Sequence, residues 1–279
     1  MSYLCPICEK SLLPDQSGKE YFCENNHHFD LAKEGYLNLL PVQQKHSKDP
    51  SDSRQMILAR NSFLEAGFYA PLAKAVAENV DVLRKKDQNM KLLDLGCGEG
   101  YYSRQIEALC RNSDQLELHG LDIAKNAIRS AAKKQKNAKY IVASSNKPPY
   151  ADQYFDLVFR VYAPSSDQQL KRIIKLGGSL LIVTPGPRHL WQLKECIYDK
   201  VNEHSLELKL PEGFEQIYSQ RISYNISPDQ DQRMALLNMT PFAWHADEEK
   251  QKRIHAPEKL EIETDFVLTL LKRVYPQTS

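Results

Sequence analysis

The hydrophobic positions of the chain follow two periods. Apolar residues recur at helical spacing over residues 55–65 and again over 71–83, with a break at Gly67. Further along, helical segments alternate with short apolar runs of strand character, at 91–95, 116–121, 139–143, 155–162 and 178–184. This alternation predicts a parallel sheet with right-handed helical crossovers.

The last part of the chain has a different pattern. Residues 214–226 and 262–274 alternate as strands, and residues 229–239 between them have helical spacing. We expect these two strands to form an antiparallel hairpin at the end of the sheet. The predicted fold class is therefore α/β, with a mixed, Rossmann-like sheet of seven strands whose last strand is antiparallel.

Composition excludes several classes of protein. The chain has 279 residues, of which 42% are hydrophobic and 26% charged, with a net charge of +1. These values are typical of a globular protein and point to no particular charged partner. Since the sequence has no run of 18 apolar residues and no signal-peptide pattern at its start, we expect no membrane span and a cytoplasmic location.

A glycine-rich turn follows the first strand of the predicted sheet. The strand ends near Asp94 and turns through Gly96, Gly98 and Gly100 into a helix. The spacing is G-x-G-x-G and not the G-x-G-x-x-G of dinucleotide sites, and Asp94 would repel a pyrophosphate. A carboxylate there suits the amino group and sulfonium of S-adenosylmethionine. The run resembles motif I of class I methyltransferases, although a purely structural glycine turn remains an alternative.

A second acidic residue, Asp122, ends the next predicted strand. An acid at this place can accept both ribose hydroxyls of an adenosine. The alternative is that Asp122 is the N-cap of the helix that follows it.

The N-terminus carries a pattern typical of a metal site. Cys5 and Cys8 are followed by Cys23 and His27, a set that suits tetrahedral Zn²⁺ with three thiolates and one imidazole. Four protein ligands leave no open position, so we predict a structural zinc. His28 is an alternative to His27, and a redox C-x-x-C motif is an alternative to the zinc site.

Several segments together resemble the RlmA family of bacterial 23S ribosomal RNA (guanine-N1)-methyltransferases. The resemblance covers nearly the whole chain. Its motifs are Cys5-Pro-Ile-Cys, Cys23 to His27, Phe29-Asp-Leu-Ala-Lys-Glu-Gly-Tyr-Leu-Asn-Leu-Leu-Pro-Val, Asp94-Leu-Gly-Cys-Gly-Glu-Gly-Tyr-Tyr, Arg160-Val-Tyr-Ala-Pro, Thr184-Pro-Gly-Pro-Arg-His-Leu and Met239-Thr-Pro-Phe-Ala-Trp.

The resemblance implies three regions. Residues 1–40 would be a zinc-binding RNA-recognition module, 41–84 a linker and helical region, and 85–279 the Rossmann-like methyltransferase domain. The implied activity is methyl transfer from S-adenosylmethionine to N1 of a specific guanine in a hairpin of 23S ribosomal RNA. A homodimer with a two-sided RNA cleft is a further expectation.

The resemblance also implies zinc at Cys5, Cys8, Cys23 and His27. The predicted cofactor-binding residues, some from the resemblance and some from the motifs above, are Tyr69, Asp94, Gly96, Gly98, Glu99, Gly100, Asp122 and His189. From the sequence, Tyr69 is equally a core tyrosine and His189 equally a helix cap.

The catalytic residues stay unassigned. Arg160 or Arg188 is a candidate to contact guanine O6, and His189 a candidate to accept the N1 proton. Tyr162, Phe242 and Trp244 are candidates to stack on the base, with core burial as the alternative for the last two.

Alternative functions remain open at this point. A small-metabolite methyltransferase accounts for the glycine turn and Asp122, but gives the zinc module no role. A non-catalytic, zinc-containing RNA-binding protein is the second alternative, and a nicotinamide oxidoreductase is the weakest. The basic run from Lys125 to Lys139 is either a solvated helix face or an RNA contact.

Overall fold

The computed structural model describes residues 3–41, 54–84 and 88–275. Its strands are β1 (Leu13–Pro14), β2 (Glu20–Phe22), β3 (His28–Asp30), β4 (Tyr36–Asn38), β5 (Met90–Leu95), β6 (Leu116–Asp122), β7 (Lys139–Val142), β8 (Phe155–Val161), β9 (Ile174–Pro185), β10 (Phe214–Ile226) and β11 (Ile262–Arg273). Its α-helices are α1 (Arg54–Glu65), α2 (Ala70–Leu83), α3 (Tyr101–Leu109), α4 (Lys125–Lys134), α5 (Asp167–Ile173), α6 (Trp191–Glu195), α7 (Gln230–Asn238) and α8 (Glu248–His255). The polar segment predicted as a linker lies, at 42–53, outside the described residues.

The main sheet has the order β10-β11-β9-β8-β5-β6-β7-β4. The strands from β9 to β4 pair in parallel, whereas β11 is antiparallel to both of its neighbours. This confirms the mixed α/β sheet with its last strand antiparallel. The central strands are apolar throughout because both of their faces are covered: Leu92 and Leu93 are both fully buried but lie in different core clusters, one on each side of the sheet.

The predicted count of seven strands is one too few. The eighth strand, β4, comes from the N-terminal segment and pairs with β7, with Leu37 opposite Ile141. Tyr36 and Leu37 are buried, whereas Asn38 is exposed, so β4 covers an edge that would otherwise leave the backbone groups of β7 unpaired. Three residues are too few to show a strand period in the sequence, which explains why the pattern did not predict this pairing.

A small three-stranded antiparallel sheet, β1-β2-β3, precedes β4. It contacts the main domain near residue 150. The Leu4 amide donates to the Pro149 carbonyl at 2.9 Å, and the Tyr3 ring lies 5.5 Å from that of Tyr150 and 6.0 Å from that of His119. The N-terminal module is therefore packed against the main sheet and continuous with it.

Most of the basic run is engaged within the chain. Arg129 pairs with Glu34 at 2.8 Å, and Lys136 donates to the Glu34 carbonyl at 3.1 Å. Lys134 pairs with Glu99 at 2.8 Å and Lys139 with Glu117 at 2.7 Å. These contacts join α4 to the N-terminal module and to the turn after β5, and they join β7 to β6. Among the described residues, no helix combines the length and apolar character that spanning a membrane requires.

The place of β4 in the sheet leads to a stability prediction. Leu37→Ala removes a side chain that is 2% exposed and is expected to lower the free energy of unfolding by about 2–5 kcal/mol. The matched control is Leu13→Ala in β1, where Leu13 is 37% exposed, with an expected loss below about 1 kcal/mol. Urea denaturation followed by circular dichroism measures both. A Leu37→Ala protein as stable as the control would contradict the integration of β4.

Candidate active site and metal centre

A cavity of about 750 Å³ opens at the carboxyl ends of the parallel strands. It lies at the point where the strand order of the sheet reverses, because β5 has β6 on one side and β8 on the other. Seven of the eight predicted cofactor-binding residues line it: Tyr69, Asp94, Gly96, Gly98, Glu99, Asp122 and His189. The fold therefore brings most of the predicted residues together around one cavity.

Gly100 is not among the residues that line the cavity, and its contact with the cofactor stays a prediction. It is the N-cap of α3 with φ +80°, and a Cβ there would lie 2.7 Å from the Tyr140 hydroxyl. The glycine is needed for close packing under the turn.

The turn after β5 is held by backbone hydrogen bonds. The amides of Gly96 and Cys97 donate to the Leu121 carbonyl at 2.8 and 3.0 Å. Gly96 has φ +78°, and a Cβ there would lie 2.3 Å from the Ala163 Cβ. Only glycine allows this approach, which brings the segment after β8 against the turn.

Asp94 is a buried acid at the floor of the cavity. It is 2% exposed, and its Oδ2 accepts a hydrogen bond from the Ser103 hydroxyl at 2.7 Å. Burial raises its pKa to about 7, and the charge of Asp122 adds to the shift. Such an acid is stabilised in its ionised form by a bound cation, as the ammonium and sulfonium of S-adenosylmethionine would be.

Asp122 receives hydrogen bonds from two backbone amides. Gly98 donates to Oδ2 and Ala124 donates to Oδ1, each at 2.8 Å. The N-cap of α4 is Ala124, so Asp122 does not take the capping position that the sequence left open. Each carboxylate oxygen can accept a second hydrogen bond, which keeps the ribose role chemically open.

Glu99 and Tyr69 are buried residues of the cavity wall. The Glu99 carboxylate, 2% exposed, pairs with Arg104 at 3.1 Å and with Lys134, and so joins α3 to α4 below the turn. Tyr69 is 3% exposed, and its ring packs edge-on against Phe266 at 4.9 Å. Tyr69 is therefore a core residue and a wall residue together.

His189 is neutral and has one defined tautomer. Burial lowers its pKa to about 3, and the nearby charge of Lys194 adds to the effect. Its Nδ1 accepts a hydrogen bond from the Asp265 amide at 3.2 Å, so the proton lies on Nε2. The hypothesis that His189 accepts the N1 proton is wrong for this geometry. His189 is also not a helix cap, because the N-cap of α6 is Leu190.

The two candidate arginines are also directed elsewhere. Arg188 forms a bidentate pair with Glu263 at 2.6 and 2.7 Å, and Arg160 donates to the Ala163 carbonyl at 2.5 Å. Neither lines the cavity. Neither is therefore placed to contact guanine O6.

Sequence reasoning missed part of the wall. Among the additional residues are Arg60 from α1, His204 and Met239 to Pro241. The motif around Met239 was noticed and Phe242 was a candidate to stack on the base, but the pattern gave no sign that Met239 to Pro241 face the cavity. Phe242 lines the cavity, whereas Trp244 is 79% exposed, so core burial is wrong for Trp244.

The four predicted zinc ligands converge in the N-terminal module. Their ligand atoms all lie within 4.8 Å of one another. Cys8 Sγ lies 3.6 Å from Cys23 Sγ, and His27 Nδ1 lies 3.5 Å from Cys5 Sγ and 3.4 Å from Cys23 Sγ. Tetrahedral Zn²⁺, with bonds of about 2.3 Å to sulfur and 2.0 Å to nitrogen, needs separations of roughly 3.5–3.8 Å. The set fits zinc better than a redox C-x-x-C pair. His28 is half-exposed and bonds Glu20 at 2.9 Å instead.

The metal centre yields a prediction that separates the two histidines. His27→Ala is expected to abolish stoichiometric zinc and to lower the melting temperature, because the ion supplies folding free energy to the module. The matched control His28→Ala is expected to keep about one zinc per chain. Elemental analysis and thermal melts read both effects. Loss of zinc in the His28 variant alone would overturn the assignment.

Asp94 yields a prediction about pH. Its pKa is raised by folding, so the native state holds the proton more tightly, and stability contributed at this site falls as pH rises from about 4 to about 7. Asp94→Asn is therefore expected to stabilise the protein at pH 8, on the order of 2 kcal/mol, and to lose this pH dependence. Affinity for S-adenosylmethionine is expected to drop at least about tenfold, because an attraction between charges is lost.

The control for this variant is Asp114→Asn, which removes one negative charge at an exposed position. Urea denaturation at pH 5 and pH 8 and calorimetric titration of the donor measure the two effects. A destabilised Asp94→Asn protein with wild-type donor affinity would contradict the role of Asp94.

Comparisons with known proteins agree with this geometry. A family model described as RlmA, N-terminal, matches residues 3–48, and a methyltransferase-domain model matches residues 86–240. The Bacillus subtilis (strain 168) protein YxjB, named for 23S rRNA (guanine-N1) methylation, is 30% identical over 274 residues, 94% of each chain. The 23S rRNA (guanine(748)-N(1))-methyltransferase of Streptomyces fradiae is 30% identical over 89% of this chain and 88% of its own.

Similarity to methyltransferases named for other substrates is more limited. The malonyl-[acyl-carrier protein] O-methyltransferase of Legionella pneumophila is 32% identical, but over only 35% of this chain and 37% of its own. The matches over most of the chain are to the ribosomal RNA enzymes, and the family model of the N-terminal module matches this chain as well. The chain therefore belongs to the RlmA family of S-adenosylmethionine-dependent 23S ribosomal RNA (guanine-N1)-methyltransferases.

Proposed function

We propose that this chain transfers the methyl group of S-adenosylmethionine to N1 of a guanine in a hairpin of 23S ribosomal RNA. The observation that carries the proposal is the pairing of a donor-type cavity with an N-terminal cysteine module in one continuous sheet. Relatives that match about nine tenths of the chain are named for this reaction.

The cavity has the features that the donor requires. Asp94 offers a carboxylate to the methionine end, the backbone of the glycine turn contacts the centre, and Asp122 accepts hydrogen bonds from the ribose hydroxyls. Tyr69 and His189 close the side nearest β11. A volume of about 750 Å³ lies within the range of sites that enclose a cofactor-sized ligand.

Part of the cavity wall suits a nucleobase. Pro164 and Phe242 lie there and offer flat or apolar surfaces for stacking. Guanine N1 lies on the Watson–Crick edge, so the base must be unpaired or flipped out to reach the donor. Aligning N1 with the methyl group supplies much of the rate.

The zinc module is assigned to RNA recognition and not to chemistry. Its four ligands fill the coordination sphere, so no position remains to activate a substrate. The cytoplasm is the location that a ribosomal RNA substrate implies. A homodimer with a two-sided RNA cleft stays a prediction of the sequence.

The test is methylation of a synthetic 23S hairpin with labelled donor, followed by mass spectrometry of the nucleosides. We expect N1-methylguanine from wild-type protein, and a drop of at least about tenfold from Asp122→Ala, which loses the ribose contact. The control substrate carries adenine at the target position. Transfer of the donor's label to small phenols, with no label in the RNA, would identify a metabolite enzyme. Absence of donor binding in calorimetry would identify a non-catalytic RNA-binding protein.

A further inference from the structure

Tyr162 has an unusual backbone conformation at the edge of the cavity. It follows β8 with φ +57°, a left-handed conformation that costs a non-glycine residue on the order of 1 kcal/mol. Its amide donates to the Val183 carbonyl at 3.2 Å, and the next residue, Ala163, packs against Gly96. The conformation directs the ring, which is 45% exposed, to the cavity wall. Strain held in place at a binding site points to a function for the side chain.

The hydroxyl of Tyr162 is oriented by a chain of hydrogen bonds. His189 Nδ1 accepts from the Asp265 amide, so the hydrogen of His189 lies on Nε2. Nε2 lies 3.3 Å from Tyr162 Oη and therefore donates to it. The phenol oxygen is an acceptor in this contact, which leaves the hydrogen of Oη for an acceptor that enters the cavity.

Asp265 fixes the start of this chain. It is fully buried on β11, and its carboxylate receives both nitrogens of the Arg221 fork at 2.8 Å. The Arg188 amide also donates to it, at 3.0 Å. This network holds the segment between β9 and α6, and with it the ring of His189. The direction of hydrogen bonding is therefore set before any substrate binds.

We propose that Tyr162 Oη donates a hydrogen bond to guanine O6 during methyl transfer, with His189 and Asp265 as positioning residues. This inference rests on the proposed function. Desolvation at the cavity wall raises the pKa of Tyr162, and the nearby Tyr69 adds to this effect, so the hydroxyl stays protonated and able to donate.

The hydrogen bond addresses the difficult step of the reaction. The N1 proton leaves to water, and the electron pair it leaves behind is shared between N1 and O6. A donor at O6 stabilises this charge where it develops. The N1 pair then forms the bond to the methyl carbon while the electrons of the sulfur–carbon bond return to sulfur. The products are N1-methylguanine, S-adenosylhomocysteine and one proton.

The same contact selects the base. Guanine presents a carbonyl oxygen at C6, which accepts a hydrogen bond, whereas adenine presents an amino group, which donates one. The Tyr162 hydroxyl, held as a donor by His189, would face the amino group of adenine, which is also a donor. Neither group would then have a hydrogen-bond partner. Tyr162 is thus a specificity-determining residue as well as a catalytic one.

Tyr162→Phe tests the proposal, because it keeps the ring and removes only the hydroxyl. We expect kcat on the guanine hairpin to fall by about 10²–10³-fold, as for loss of one oxyanion donor. Donor affinity by calorimetry is expected to stay within about twofold of wild type, since the hydroxyl contacts the base. The rise of kcat with pH is expected to continue to higher pH, because N1 is then harder to deprotonate. Tyr275→Phe, at an exposed position, is the matched control.

A second pair of variants examines the positioning residue. His189→Gln keeps an N–H group near the Nε2 position and is expected to preserve the wild-type pH profile, whereas His189→Leu is expected to shift it as Tyr162→Phe does. A leucine variant with the wild-type profile would overturn the chain of hydrogen bonds.

The outcomes separate this inference from the proposed function. If wild-type protein forms no N1-methylguanine, both are overturned. If wild type forms the product and Tyr162→Phe has an unchanged kcat and pH profile, this inference alone is overturned. The expected loss, with donor binding intact, supports both.

Discussion

The site depends on one close approach, between the turn after β5 and the segment after β8. Two backbone amides of the turn share the Leu121 carbonyl, and Gly96 leaves no side chain to separate the turn from Ala163. This contact sets the distance between Asp94, on the proposed donor side of the cavity, and Tyr162, on the proposed base side. A methyl group must pass between these two sides with little tolerance in distance, so a larger residue at the turn would affect geometry more than affinity.

The N-terminal module supports the same cavity from outside. β4 pairs with β7, and the Leu39 amide donates to the Val142 carbonyl, just before the wall residues Ser144 and Ser145. After the wall, Lys147 pairs with Glu9 at 2.7 Å. The module therefore holds both ends of one wall loop. A zinc site assigned to RNA recognition is also, in this fold, part of the framework of the donor pocket.

Sequence reasoning was most successful where chemistry and periodicity coincide. The parallel strands are apolar runs, and the acids and glycines at their ends are required by the ligand, so the cavity wall was largely predictable. It failed where partners are distant in sequence. The eighth strand needs the edge of β7, the tautomer of His189 needs an amide from β11, and Arg188 is held by Glu263. No local pattern encodes such contacts, and the exposed position of Trp244 is equally a result of tertiary packing.

The ion pairs within the basic run change the electrostatic contribution of these residues to RNA binding. Arg129, Lys134 and Lys139 already face carboxylates of the chain itself. A cation that is neutralised in this way displaces few counterions from a nucleic acid backbone. Association with RNA should then depend on ionic strength less steeply than the number of lysines and arginines suggests, with shape and base contacts contributing the larger share of affinity.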